Sequence, residues 1–140
     1  MTATAPTRAP HPPGRPSSAL LTDKYELTMI RAALADGTAD RPCVFEVFAR
    51  RLPAGRRYGV VGGTGRLLER LRDFRFGEEE LAVVADSLDE RTLGWLRDFR
   101  FTGHIDGYPE GELFFPGSPV LSIRGGFAEC VLLETLVLSV

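Results

Sequence analysis

The sequence predicts an α+β fold, with helices packed against a mostly antiparallel sheet, and three observations carry that reading. A two-residue alternation runs through "CVFEVFAR", Cys43 to Arg50, and marks a strand. Apolar residues at helical spacing recur in short segments between Asp23 and Arg97. From Gly103 onward, short apolar runs are separated by proline and glycine turns, and regular βαβ alternation is absent.

The first helix starts at Asp23, whose carboxylate suits the cap position, with Glu26 placed to reach back as in a capping box. Asp36-Gly37 supplies its stop. At about 100° per residue, Leu27, Ile30 and Leu34 share one face and Tyr25, Met29 and Ala32 share the opposite one. Glu26, Thr28 and Arg31 fall between. Two separate apolar surfaces are thus asked to dock on something. In the strand Cys43 to Arg50, Val44, Glu46 and Phe48 point one way, and Phe45, Val47 and Ala49 the other.

"YGVVGG" follows a loop and reads as a short strand. A helix is expected from Thr64 to about Asp73, with Leu67, Leu68, Leu71 and Phe74 inward. Another runs from Glu78 to Ser87 on a stripe of Leu81, Val84 and Leu88. A third covers Glu90 to Arg97, around Leu93 and Leu96. "LRDFRF" occurs at both Leu71 and Leu96, but the flanks differ, so each copy closes a helix rather than marking a tandem repeat. Strands follow around Ile105, Leu113 to Phe115, and Val120 to Ile123; "FAECVLLETLVLSV" then begins a helix.

With 140 residues, 44% hydrophobic and 26% charged, the chain fits one globular domain. Residues 1–19 hold five prolines and no acid and read as a disordered tail. They lack the apolar core of a signal peptide. No apolar run reaches membrane-spanning length. An uncapped apolar run at Val140 suggests an interrupted helix, and hence a truncated chain. Between Arg41 and Arg75, nine arginines face three acids; from Phe76 onward, twelve acids face four arginines. Such a basic middle suits phosphate or nucleic acid, or salt bridging with the acidic half. Cys43 and Cys130 have no metal-site spacing, and reduced thiols in a cytoplasmic protein fit them best.

Few residues point to a reaction. "GVVGGTGRLL" clusters glycines ahead of a helix, but no dinucleotide or P-loop spacing follows, so a tight turn is the plainer reading. His11 and His104 are the only histidines, and neither has a metal or nucleophile partner. Asp23, Tyr25 and Arg50 remain. By themselves Asp23 reads as a cap, Tyr25 as core or interface, and Arg50 as a solvated strand end.

The segments "LLTDKYELTM", "VFEVFARRLP", "YPEGELFFPGSPVLSIRG" and "AECVLLETLVLSV" resemble, in order, the N-terminal region of nicotinate phosphoribosyltransferase from about Leu20 to Val140. The resemblance implies the α+β N-terminal domain of a type II phosphoribosyltransferase over residues 20–140, lacking the catalytic barrel. It implies an ATP-coupled glycosyltransferase, of ligase class, that makes nicotinate mononucleotide from nicotinate and phosphoribosyl pyrophosphate in NAD salvage. ATP and Mg2+ would serve the full-length enzyme, and the 140-residue chain alone would be inactive. The family works as cytoplasmic homodimers with shared active sites, without nucleic acid or membrane. Tyr25 would then stack on the pyridine ring, with Asp23 beside it, and Arg50 would hold phosphate oxygens across the dimer. No catalytic or metal-ligating residue is expected in this segment. A nicotinamide- or quinolinate-using relative, or a non-catalytic binding module, is the alternative.

Overall fold

The computed structural model describes residues 17–140. The expected tail falls outside them as far as residue 16. Its last three residues are part of the domain: Ser18 and Ala19 are buried. The Ser17 and Ser18 hydroxyls donate to the carbonyls of Arg75 (2.5 Å) and Arg70 (2.6 Å).

The first helix, α1 (Lys24–Asp36), has Asp23 at its N-cap and ends on Gly37, whose φ of 81° is the left-handed stop that glycine adopts without strain. Leu27, Ile30 and Leu34 are buried as the spacing predicts, whereas Tyr25, Met29 and Ala32 are exposed. Glu26 departs from expectation, being fully buried rather than lying between the faces.

Three antiparallel strands form the main sheet in the order β1 (Pro42–Val47), β5 (Leu121–Gly126), β3 (His104–Gly107). Phe45, Ile123 and Ile105 sit in register across its inner face. Val44, Arg124 and His104 align on the outer face, where all three are exposed. The first strand stops at Val47, so Phe48 to Arg50 lie beyond it. A second sheet pairs β2 (Gly59–Val60) with β4 (Leu113–Phe114). The turn into β3 demands glycine at Gly103, since a Cβ there would lie 2.1 Å from the Arg124 carbonyl oxygen.

Helices α2 (Thr64–Arg72), α3 (Glu78–Val84) and α4 (Glu90–Asp98) follow the expected bounds closely, with a 3-10 turn at Ala85–Ser87 closing α3. Leu68 corrects one assignment: it is 46% exposed, because the inward stripe is Leu67, Leu71 and Phe74. The two "LRDFRF" copies do close helices, and they meet. Phe74 packs edge-on to Phe99 with ring centroids 5.8 Å apart, and to Phe76 at 6.0 Å.

The last segment also differs from expectation. It forms two helices, α5 (Phe127–Leu132) and α6 (Glu134–Leu138), broken at Leu133. Helix α5 lies between α1 and the inner face of the sheet, and Cys130, Val131, Leu132, Leu133 and Leu136 fill the centre of the core. Among the described residues, no helix is long and apolar enough to cross a membrane.

Candidate functional site

The first turn of α1 and the first turn of α6 come together, and this junction holds two of the candidates, Asp23 and Tyr25. Tyr25 is 47% exposed, and Met29, one turn further along the same face of α1, is 40% exposed. A phenol on such a surface would ordinarily titrate near 10. That of Tyr25 is pushed up to about 12, first by a hydrogen bond to Glu134, then by partial desolvation and repulsion from Glu134, Glu26 and Asp23. The ring therefore faces solvent while its hydroxyl feels the carboxylate of Glu134, the first residue of α6.

Glu26, beside it, was not legible as a functional residue. Its Oε2 accepts from the Asp23 backbone N–H at 3.0 Å and from the Thr22 hydroxyl. Its Oε1 accepts from the Thr135 backbone N–H at 3.0 Å and from the Thr135 hydroxyl at 2.6 Å. All four partners are donors, as an acceptor-only carboxylate requires for burial. The sequence shows only the local half of this arrangement, Glu26 three residues after a cap. Thr135, 109 residues away, carries no mark in the sequence that would announce the other half.

Asp23 shares the first turn with Tyr25, and its carboxylate is exposed. Arg50 is exposed in the loop after β1 and makes no hydrogen bond or ion pair with the described residues. A cleft of about 260 Å³ opens between the end of β1 and α6, lined by Phe45, Val47, Ile123 and Val137, with Glu46 and Glu134 also on its wall. Glu134 thus links Tyr25 to this cleft, while the continuation of β1 carries Arg50 three residues past Val47. The walls are apolar and acidic, which suits the face of a flat ring and repels an anionic substituent.

The remaining candidates are placed apart from this junction. The Gly65 N–H at the start of α2 already donates to Glu110 Oε1 at 2.9 Å, so the glycine cluster is occupied by a carboxylate of its own chain. His104 is an exposed residue opening β3. Cys43 and Cys130 are free thiols. Ion pairs Arg97–Glu78 (3.8 Å) and Arg124–Asp106 (2.6 Å) both lie within the acidic second half of the chain. Among the described residues, no three metal-ligating side chains gather in one place.

Comparison with known proteins covers nearly all of the described residues. The model of the nicotinate phosphoribosyltransferase (NAPRTase) N-terminal domain matches residues 20–140. The nicotinate phosphoribosyltransferase pncB1 of Mycobacterium tuberculosis is 66% identical over 133 residues, 95% of this chain and 30% of its own length. The Bacillus subtilis nicotinate phosphoribosyltransferase is 33% identical, over 89% of this chain and 26% of that protein. The crystal structure of human nicotinic acid phosphoribosyltransferase superposes with a TM-score of 0.78 at 32% identity, over 84% of this chain and 25% of that one. This chain therefore spans about a third or less of the relatives it matches, and over that span it belongs to the nicotinate phosphoribosyltransferase family, as its N-terminal domain.

Proposed function

We propose that this chain is the substrate-holding N-terminal part of an ATP-coupled nicotinate phosphoribosyltransferase, and that its exposed Tyr25 stacks on the pyridine ring of nicotinate. The similarity to relatives of that name supports the activity. The observation that carries the assignment to Tyr25 is its placement: a ring half open to solvent beside exposed Met29 in the first turns of α1, at the junction where Glu26 ties α1 to Thr135 of α6. A core tyrosine would be covered.

In this reading the exposed face of Tyr25, Met29 and Ala32 meets a second subunit, which completes the pocket. The acids around Tyr25 allow the ring face to approach but not the nicotinate carboxylate, so the carboxylate points away from Glu134 and Asp23. Arg50 meets phosphate oxygens of phosphoribosyl pyrophosphate; a guanidinium fork suits two oxygens at once. Displacement at the ribose carbon builds negative charge on the departing pyrophosphate. Bound Mg2+ would stabilise that charge. The enzyme works in the cytoplasm, and the 140-residue chain by itself does not turn over.

The test grafts this chain onto the M. tuberculosis pncB1 relative in place of the matching segment, which is 66% identical. The graft is expected to form nicotinate mononucleotide, and the isolated chain is not. In the graft, Tyr25→Ala should raise KM for nicotinate about tenfold or more, since stacking is worth ~0.5–1.5 kcal/mol beyond the area it buries and ~1.4 kcal/mol is tenfold. An unchanged KM removes Tyr25 from the site. Nicotinamide or quinolinate used in preference to nicotinate by the same graft would assign a different base.

A further inference from the structure

Glu26 is a charged side chain with no exposed surface. It is not paired with a cation; each of its oxygens takes one hydroxyl and one backbone N–H instead. The two oxygens reach different parts of the chain. One holds Thr22 and Asp23, where the backbone enters α1. The other holds Thr135, in the first turn of α6. Tyr25 immediately precedes Glu26, and Glu134, the carboxylate that acts most on the Tyr25 hydroxyl, immediately precedes Thr135. Two adjacent residues of α1 are thus matched to two adjacent residues of α6.

We propose that Glu26 is a positioning residue for Tyr25: its carboxylate clamps the start of α1 to the start of α6 and so presents the ring in one orientation. The proposal rests on the reading of Tyr25 as the ring that stacks on nicotinate. A half-exposed aromatic side chain that must be ordered when a ligand arrives weakens binding by the cost of ordering it. Fixing the ring beforehand removes that cost. The clamp needs a carboxylate. In Glu26→Gln the amide keeps the shape but sets an NH2 against either the Asp23 or the Thr135 backbone N–H. The two hydroxyls can rotate to accept a hydrogen bond; a backbone N–H cannot.

The test labels the tyrosine rings of the 140-residue chain, which has three tyrosines, and follows them by NMR. In Glu26→Gln, with helix content unchanged by circular dichroism, the Tyr25 ring signals should move to those of a free tyrosine. Its phenol should titrate nearer 10.0 than about 12, as the hold of Glu134 loosens and the repulsion from Glu26 disappears. Tyr58 and Tyr108, both exposed and remote in sequence, should not move. Unmoved Tyr25 signals in a folded Glu26→Gln overturn the proposal. Should that variant fail to fold, Thr135→Val removes one hydroxyl and leaves the backbone bond; it should shift Tyr25 in the same direction by less, and an unmoved ring there is equally fatal. In the graft onto the M. tuberculosis relative, Glu26→Gln should raise KM for nicotinate about tenfold with kcat within about twofold, the pattern of a lost ground-state grip. Failure of the ring readout overturns the clamp, whereas an unchanged KM in Tyr25→Ala overturns the stacking reading, so the two failures are separable.

Discussion

Glu26 and Glu80 stand at the same place in two helices and meet opposite fates. Each is the third residue of its helix, and each accepts from the backbone N–H of the cap: Glu26 from Asp23 at 3.0 Å, Glu80 from Gly77 at 2.9 Å. Glu80 stops there and stays partly exposed. Glu26 continues into the interior and ties α1 to α6. Glu129 lies between them: it accepts from the Gly126 N–H at 3.1 Å, and also from the Thr102 backbone and hydroxyl, so it anchors the chain entering β3 to α5. The local motif is the same in all three. What a tertiary partner adds is the difference between ending a helix and joining two parts of a fold.

The largest expected effect tests that difference directly. Glu26→Ala leaves two part-buried backbone N–H groups and two hydroxyls without their acceptor, and a donor left unsatisfied away from water costs ~1–3 kcal/mol. Destabilisation of ~3 kcal/mol or more is expected in urea unfolding. The comparison breaks if Glu26→Ala costs no more than Glu80→Ala.

Which parts of this were legible beforehand follows from the range of each interaction. The bounds of α1 come from Asp23 and Gly37, which act within one turn, and its inward face comes from local periodicity. The exposed side of the helix, with Tyr25 on it, is legible for the same reason. The strand alternation at Val44 to Val47 also holds, because a sheet with one covered face enforces it. The break at Leu133 was not legible. It falls in an unbroken apolar run with no glycine or proline, and burial on all sides leaves no periodic mark. Because the break was hidden, so was the pairing of Glu134 with Tyr25 and of Thr135 with Glu26. The expected strand ends at Ile123, yet β5 runs on through Gly125 and Gly126, since Gly125 pairs with Cys43 and leaves room where the Cys130 sulfur lies 3.6 Å from its would-be Cβ.

A second prediction sharpens the contrast between buried groups with and without adequate partners. Glu26 is buried among four donors. Cys130 is also fully buried, but its thiol has only a 3.9 Å contact to the Ile123 carbonyl and a neighbouring thiol, Cys43. Burial first, then the Cys43 hydrogen bond and the nearby charges of Cys43 and Glu129, push it from 9.0 up to about 12. A folded-state value above the unfolded one means the contribution is fully present below pH 9.0 and is lost as pH rises through about 12. The slope limit is ~1.4 kcal/mol per pH unit for one group. The exposed Tyr25 phenol adds loss of the same sign between 10.0 and about 12. Melting temperatures measured from pH 8 to 11 should therefore fall, and Cys130→Ala, less stable at neutral pH because of the cavity it leaves, should show a flatter fall above pH 9. An equally steep fall in Cys130→Ala would assign the alkaline loss elsewhere.

The smallest effects lie at the other two carboxylates, and their order is what matters. Glu80→Ala removes one exposed cap bond and should cost ~0.5–1 kcal/mol. Glu129→Ala removes a cap bond and two bonds to Thr102, all at a partly exposed site, and should cost ~1–2 kcal/mol. Adding salt should change neither much, because the partners of both are backbone and hydroxyl donors rather than cations. Urea midpoints for the three alanine variants should then fall in the order Glu26, Glu129, Glu80, from largest loss to smallest. That order follows the number of donors each carboxylate satisfies and the depth at which it does so. Were Glu80→Ala to cost as much as Glu129→Ala, the cap bond would account for the whole effect, and the tether from α5 to Thr102 would contribute nothing to holding β3 in place.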